Sequence, residues 1–108
     1  MDMAYRPTID QYIPDMHNRG MEIEFDPRKA AANQRKHRVS FEEAASCLLD
    51  PLALVMEDGR AEGESRWLLV GMSGHARLLT VVYTLREDNP RLISARKATA
   101  KEAKSYAT

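Results

Sequence analysis

The stretch A-R-L-L-T-V-V-Y-T-L-R-E-D-N-P-R-L-I-S-A-R-K-A-T-A-K-E, Ala76 to Glu102, contains two strand patterns and the start of a helix. Successive side chains of a strand point to opposite faces. Leu79, Val81, Tyr83 and Leu85 therefore share one side of the first strand, and Thr80, Val82, Thr84 and Arg86 the other. In the second strand Ile93 and Ala95 oppose Leu92, Ser94 and Arg96. Each strand thus has an apolar side for helices to cover and a more polar side that carries an arginine. If the two strands pair, Thr80, Thr84, Arg86, Ser94 and Arg96 share one concave polar surface. Two arginines on a merely solvated sheet face fit the same parity, and periodicity does not choose between these readings. Thr99 and Glu102 then form a capping box that opens a terminal helix.

Upstream, R-W-L-L-V-G-M-S followed by S-G-H reads as a strand and a tight turn, an antiparallel hairpin with the strand after it. Before it, L-A-L-V-M-E runs as a short strand into a D-G turn at Asp58 and Gly59. Further back, Ser40 and Glu43 form a capping box that places Phe41, Ala44, Ala45 and Leu48 on one helix face. That helix stops near Asp50 and Pro51, because a residue preceding proline resists helical geometry. An earlier helix is expected from Pro27 to about His37, with Asp26 as N-cap and Phe25 packing on Ala30. M-E-I-E-F, Met21 to Phe25, alternates as a half-buried strand. The expectation is an α+β fold: an antiparallel sheet of about four strands, two N-terminal helices and a C-terminal helix.

The chain has 108 residues, enough for one compact domain and short for two. Met1 to Gly20 has two prolines and no sustained period, and it reads as an extension from an early start codon, with the domain spanning residues 21–108. Tyr5, Ile9, Tyr12 and Ile13 could dock that extension on a surface. A single cysteine, Cys47, excludes an internal disulfide and has no cysteine neighbour for a zinc site. The expected setting is cytoplasmic, since no stretch approaches membrane-spanning length and no signal peptide opens the chain.

Sixteen Lys and Arg balance sixteen Asp and Glu, yet the balance is not uniform. Glu42 to Glu64 contains seven acids and one cation, Arg60, whereas from Arg66 onward eight cations face three acids. A basic second half hints at a polyanionic ligand better than the total does.

Several segments in order, F-D-P-R-K-A-A-A-N-Q-R-K-H-R-V-S-F-E-E-A, E-G-E-S-R-W-L-L-V-G, V-V-Y-T-L-R and R-L-I-S-A-R-K-A-T, resemble the BrnT family of bacterial type II toxins. The resemblance covers Met21 to about Tyr106 and departs at Arg38, where the family's glycine is expected after K-H. It implies a RelE-like fold and ribonuclease activity. It also implies a BrnA-like antitoxin, with two toxins on an antitoxin dimer and DNA bound only through the antitoxin.

RNA can be cut without metal when its own 2′-hydroxyl attacks the adjacent phosphate, so a protein need only orient it, stabilise charge and move protons. Arg86 and Arg96 are the first candidates to hold the phosphate, and Arg66 is a third. For proton transfer the candidates are His37, which could equally cap its helix, Glu64, which could equally form a surface ion pair, and Tyr83, whose parity favours the core. His75 reads as a turn residue, Cys47 as buried and inert, and Trp67 as core. Neither histidine has a second ligand at metal spacing, so no metal or other cofactor is expected. The other class compatible with these residues is a non-catalytic module that binds a protein or nucleic acid through the same basic face. RNA scission separates the two.

Overall fold

The computed structural model of the protein describes residues 11–14, 22–59 and 63–107. Apart from Gln11–Pro14, the segment read as an extension, Tyr5 and Ile9 included, lies outside the described residues. The elements are β1 (Gln11–Pro14), β2 (Glu22–Phe25), α1 (Pro27–His37), α2 (Phe41–Cys47), β3 (Leu54–Glu57), β4 (Trp67–Met72), β5 (Leu78–Arg86), β6 (Asn89–Lys97) and α3 (Ala100–Ala107). The strands form one sheet in the order β1-β2-β6-β5-β4-β3.

The α+β class and the three helices agree with the sequence reading, but the sheet differs from it. Its described strands number six, and it is mixed, because β2 runs parallel to β6 at Glu24 and Arg91. Parallel neighbours need a long crossover, supplied here by everything from α1 to β5, and local periodicity carries no sign of such a partner.

Local chemistry accounts for the helix ends. The Asp26 carboxylate accepts from the Arg28 N–H at 2.8 Å, and Pro27 takes the first turn, where a missing N–H is harmless. Arg38 ends α1 with φ 60°, ψ 34°, a left-handed conformation that a residue with a Cβ adopts at a cost of about 1 kcal/mol. Glycine would avoid that penalty, which is the physical reason to expect one there. Ser40 accepts from the Glu43 N–H at 3.0 Å, but the Glu43 side chain does not return to complete the box. It is buried and bonds instead to the Arg77 guanidinium, with Nε at 2.9 Å, and to the Ser73 hydroxyl at 2.7 Å. Arg77 also donates to the Arg38 carbonyl at 3.3 Å, which ties the α1–α2 turn to the β4–β5 hairpin.

The core lies between α1, α2 and one face of the sheet. Ile23, Phe25, Val39, Phe41, Ala44, Leu79, Val81, Leu92 and Ala95 are all buried in it. Phe25 and Phe41 meet edge to face at 5.3 Å between ring centroids, a favoured aromatic geometry. Gly71 lets β4 pass close beneath α2, because a Cβ there would stand 3.1 Å from the Cys47 carbonyl oxygen. As expected, the Cys47 thiol is buried, and burial pushes its pKa up to about 12. Trp67 packs against this cluster.

Strict alternation fails once, in β6. Val82 is in register with Ser94 but Tyr83 with Leu92, so Ile93 is the extra residue of a bulge. Leu92, assigned by period two to the polar side, is consequently 1% exposed in the core. Arg91 is shifted the other way, into register with Thr84.

Asn33 of α1 closes the outer edge of β6. Its amide donates to the Ala95 carbonyl at 2.8 Å and to the Val39 carbonyl at 3.0 Å, and its oxygen accepts from the Ala95 N–H at 3.0 Å. One side chain thus supplies the bonds of a neighbouring strand where β2 has stopped.

Two carboxylates make this fold acid-sensitive. Hydrogen bonds from Arg77 pull the Glu43 pKa from the ordinary 4.5 down to about 2, and Arg96 does the same to Glu102. A pKa lowered on folding contributes stability that is complete above the unfolded value and is lost as pH falls through the folded one. The melting temperature should therefore fall between about pH 5 and pH 2, and a Glu43→Gln, Glu102→Gln variant should start lower and fall less. Parallel acid melting curves for the two proteins would contradict this assignment.

Candidate functional site

The sheet face turned away from α1 and α2 is built in rows. Val70, Thr80 and Arg96 are in register across β4, β5 and β6, then Leu68, Val82 and Ser94, then Thr84 and Arg91, with Glu24 of β2 beyond them. The helix α3 has no buried residue and reaches the first row through Glu102. Glu102 completes the expected box with Thr99, with bonds of 2.8 and 3.1 Å, and the same carboxylate accepts from the Thr80 hydroxyl at 2.8 Å. It also takes both terminal nitrogens of Arg96, at 2.8 and 3.0 Å. At the far end of α3 the Tyr106 hydroxyl donates to Asp50 at 2.7 Å.

Arg96 is therefore fixed in direction. A third N–H reaches the Lys97 carbonyl at 3.2 Å, which leaves two of the five guanidinium donors for a ligand. Its side chain remains 37% exposed.

Thr84 anchors the opposite end of the face. Its hydroxyl lies 2.9 Å from the Glu64 carboxylate and 2.9 Å from the Ser65 carbonyl, which holds the loop before β4 against β5. Arg66 follows directly in that loop and is exposed. Arg86 lies two residues beyond Thr84 on the same side of β5, about 7 Å along the strand, and is also exposed. Among the described residues neither Arg66 nor Arg86 has an ionic partner. Arg91, in register with Thr84, is ion-paired to Glu24 at 3.5 Å.

The sequence candidates are thus divided. Glu64, Arg66 and Arg86 gather around Thr84. Arg96 shares their face, as parity predicted, but Thr80, its partner in register, stands six residues from Arg86, about 20 Å along the strand. Arg86 and Arg96 therefore stand toward opposite ends of the face, and Arg96 is turned toward Glu102. Tyr83 belongs to the core, on the other side of the sheet, where burial raises its pKa. His37 lines a groove between α1 and β6, and exposed His75 sits in the β4–β5 turn with Nδ1 3.6 Å from Glu43. Arg91 was not among the candidates. Strict alternation puts it with Ile93 and Ala95 on the core side, and only the bulge reveals its true face.

Among the described residues no three His, Cys, Asp or Glu side chains are placed to hold a metal ion. No helix among them is long and apolar enough to cross a membrane. The Thr84 end presents the Glu64 carboxylate in a fixed place, two arginines with free donors, and beside them the Arg91–Glu24 pair. Such a set can receive a phosphodiester and take a proton from a hydroxyl group beside it.

Residues 25–102 match the family described as the ribonuclease toxin, BrnT, of type II toxin-antitoxin systems. No curated protein matches the chain.

Proposed function

The chain belongs to the BrnT family of type II ribonuclease toxins, and from that premise we propose that it cuts RNA in the cytoplasm without a metal ion, at the Thr84 end of its arginine-bearing sheet face. The observation that carries this reading is the Glu64 carboxylate, held by Thr84 at the end of the sheet face where Arg66 and Arg86 are exposed.

In this reaction Glu64 removes the proton from a ribose 2′-hydroxyl, and the 2′-oxygen attacks the adjacent phosphorus. The bond to the 5′-oxygen of the next nucleotide breaks as the cyclic phosphate forms, and that oxygen takes a proton from water to leave as the 5′-hydroxyl. Arg66 and Arg86 bind the non-bridging oxygens, whose negative charge grows in the transition state, and their planar forks suit that geometry. Arg96 holds another phosphate of the same strand. Its register partner Thr80 is four residues from Thr84, about 13 Å away, so it positions RNA without touching the reacting bond. Ser94 and Val82 lie on the face between these two points.

The products distinguish this chemistry. With excess chelator present, the purified protein should release fragments ending in 2′,3′-cyclic or 3′-phosphate and starting with 5′-hydroxyl. A requirement for magnesium, or 5′-phosphate ends, would show a different reaction. Binding without scission would favour the non-catalytic module.

A free ribonuclease poisons the cell that makes it, and type II systems answer with a protein antitoxin. A BrnA-like partner carrying acidic residues would cover Arg66, Arg86 and Arg96, associating faster at low salt. Two toxins on an antitoxin dimer would give a two-fold symmetric complex that reaches DNA through the antitoxin. Native mass measurement of the co-expressed proteins should give that stoichiometry, with protection of all three arginines. A complex that leaves them as reactive as in the free toxin would place inhibition elsewhere.

A further inference from the structure

The groove between α1 and the outer edge of β6 takes no part in the reaction described above. Pro27–His37 carries Arg28, Lys29, Arg35, Lys36 and His37 and no acid, and Arg38 follows at its C-cap. Among the described residues Lys29, Lys36 and Arg38 have no side-chain partner. Lys29 and Lys36 are seven residues apart, two turns or about 10 Å along the helix, so they lie on one side of it. Both line the groove, together with Ala32, His37, Ile93 and Ser94. Its volume is about 300 Å³, at the small end of the range for ligand pockets.

Its shape follows from the fold. β2 is in register with β6 at Glu24 and Arg91, and among the described residues no strand lies beside the outer edge of β6 past Leu92. Ile93 keeps the side of β6 that Ala95 takes and forms an apolar floor with Ala32. Cations flank that floor at both ends. Ser94 is shared: it lines the groove, and it stands on β6 between Arg91 and Arg96 of the sheet face.

An apolar floor with a lysine at each end suits a single-stranded nucleotide, whose unstacked base needs a flat apolar contact and whose flanking phosphates need cations. We propose that the α1–β6 groove is a second RNA-binding site. The base of one nucleotide lies on Ala32 and Ile93, its flanking phosphates meet Lys29 and Lys36, and the strand continues past Ser94 onto the arginine face. The occupant is an RNA strand because the groove is lined by cations and no acid, and because Ser94 belongs to both the groove and that face. This inference rests on the ribonuclease reading for the identity of the ligand.

The test uses the full chain and a fluorescent single-stranded oligoribonucleotide whose 2′-O-methyl groups block the proposed cleavage. The Lys29→Gln, Lys36→Gln variant should bind it about tenfold or more weakly, and the slope of log K against log salt should shrink by about 1.4, or about 0.7 for each phosphate that is no longer neutralised. Ala32→Leu should fill the floor, weakening binding while leaving the salt slope unchanged. Both changes are at exposed positions, so the melting temperature checks that the fold is intact. Wild-type affinity and slope in the lysine variant would overturn the groove while leaving cleavage at the Thr84 end standing. Groove-dependent binding by a protein that cuts no unmodified RNA would support the groove and overturn the ribonuclease mechanism. A wild-type chain that binds no oligonucleotide would overturn the groove.

Discussion

Glu64→Gln is expected to lower the rate of RNA cleavage on the order of 10²- to 10⁴-fold, the range a positioned general base contributes. Glutamine keeps the length of the side chain and an oxygen to accept from Thr84, so the loop before β4 stays in place while the proton acceptor is lost. Glu64 is exposed, and the melting temperature should not move. The loss should fall on kcat with KM nearly constant, because the interaction is made only as the 2′-hydroxyl ionises. Arg86→Lys should cost on the order of 10²-fold through the lost fork, and Arg96→Lys less, mainly in KM. Equal rates for wild type and Glu64→Gln would move proton transfer to another group. A larger loss for Arg96→Lys than for Arg86→Lys would move the reacting phosphate to the α3 end of the face.

Asn33→Ala should be the most destabilising single change considered, by roughly 3 kcal/mol. Asn33 is buried, and it satisfies the Ala95 N–H, the Ala95 carbonyl and the Val39 carbonyl, none of which gains another partner when the amide is removed. Each buried backbone group left unsatisfied costs about 1 kcal/mol or more. For a domain of this size the melting temperature should fall by roughly 15 °C. Asn33→Asp should not rescue it, because a carboxylate has no proton for the two carbonyls. A fall of only a few degrees for Asn33→Ala would mean that water replaces the amide and that β6 does not depend on α1 for its outer edge.

The parts of the structure legible in the sequence are those set by neighbours in the chain. Asp26, Ser40 and Thr99 each bond the backbone N–H their motifs predict, because a cap involves residues only two or three positions apart. The two faces of β5 were legible for the same reason. Long-range partners were not. Glu43 has the spacing of a capping box, yet Arg77, 34 residues away, offers its carboxylate a stronger, charge-assisted pair. Glu102 does what its motif predicts and also holds Arg96, a second role that local spacing does not reveal.

At the site, one residue of slip decided what alternation could see. The bulge at Ile93 sends Leu92 to the core and Arg91 to the polar face, and a period-two reading reverses both. Parity placed Arg86 and Arg96 on one side correctly but carried no distance, and the register then separates them by the length of a strand. Glu64 was a candidate from its neighbourhood with Arg66, and its bond to Thr84, 20 residues away, is what gives it a fixed position. The groove beside α1 depends on where β2 ends, which no local pattern reveals.

The most direct test of metal-free attack by the 2′-hydroxyl is made on a single nucleotide. An oligoribonucleotide carrying a 2′-deoxy sugar at the mapped scissile position, incubated with the protein in excess chelator, is compared by mass spectrometry with the all-ribose strand. The all-ribose strand should yield a 2′,3′-cyclic phosphate at that position, and the deoxy-substituted strand should be left intact there. Cutting of the deoxy-substituted strand at the same bond would contradict attack by the 2′-hydroxyl.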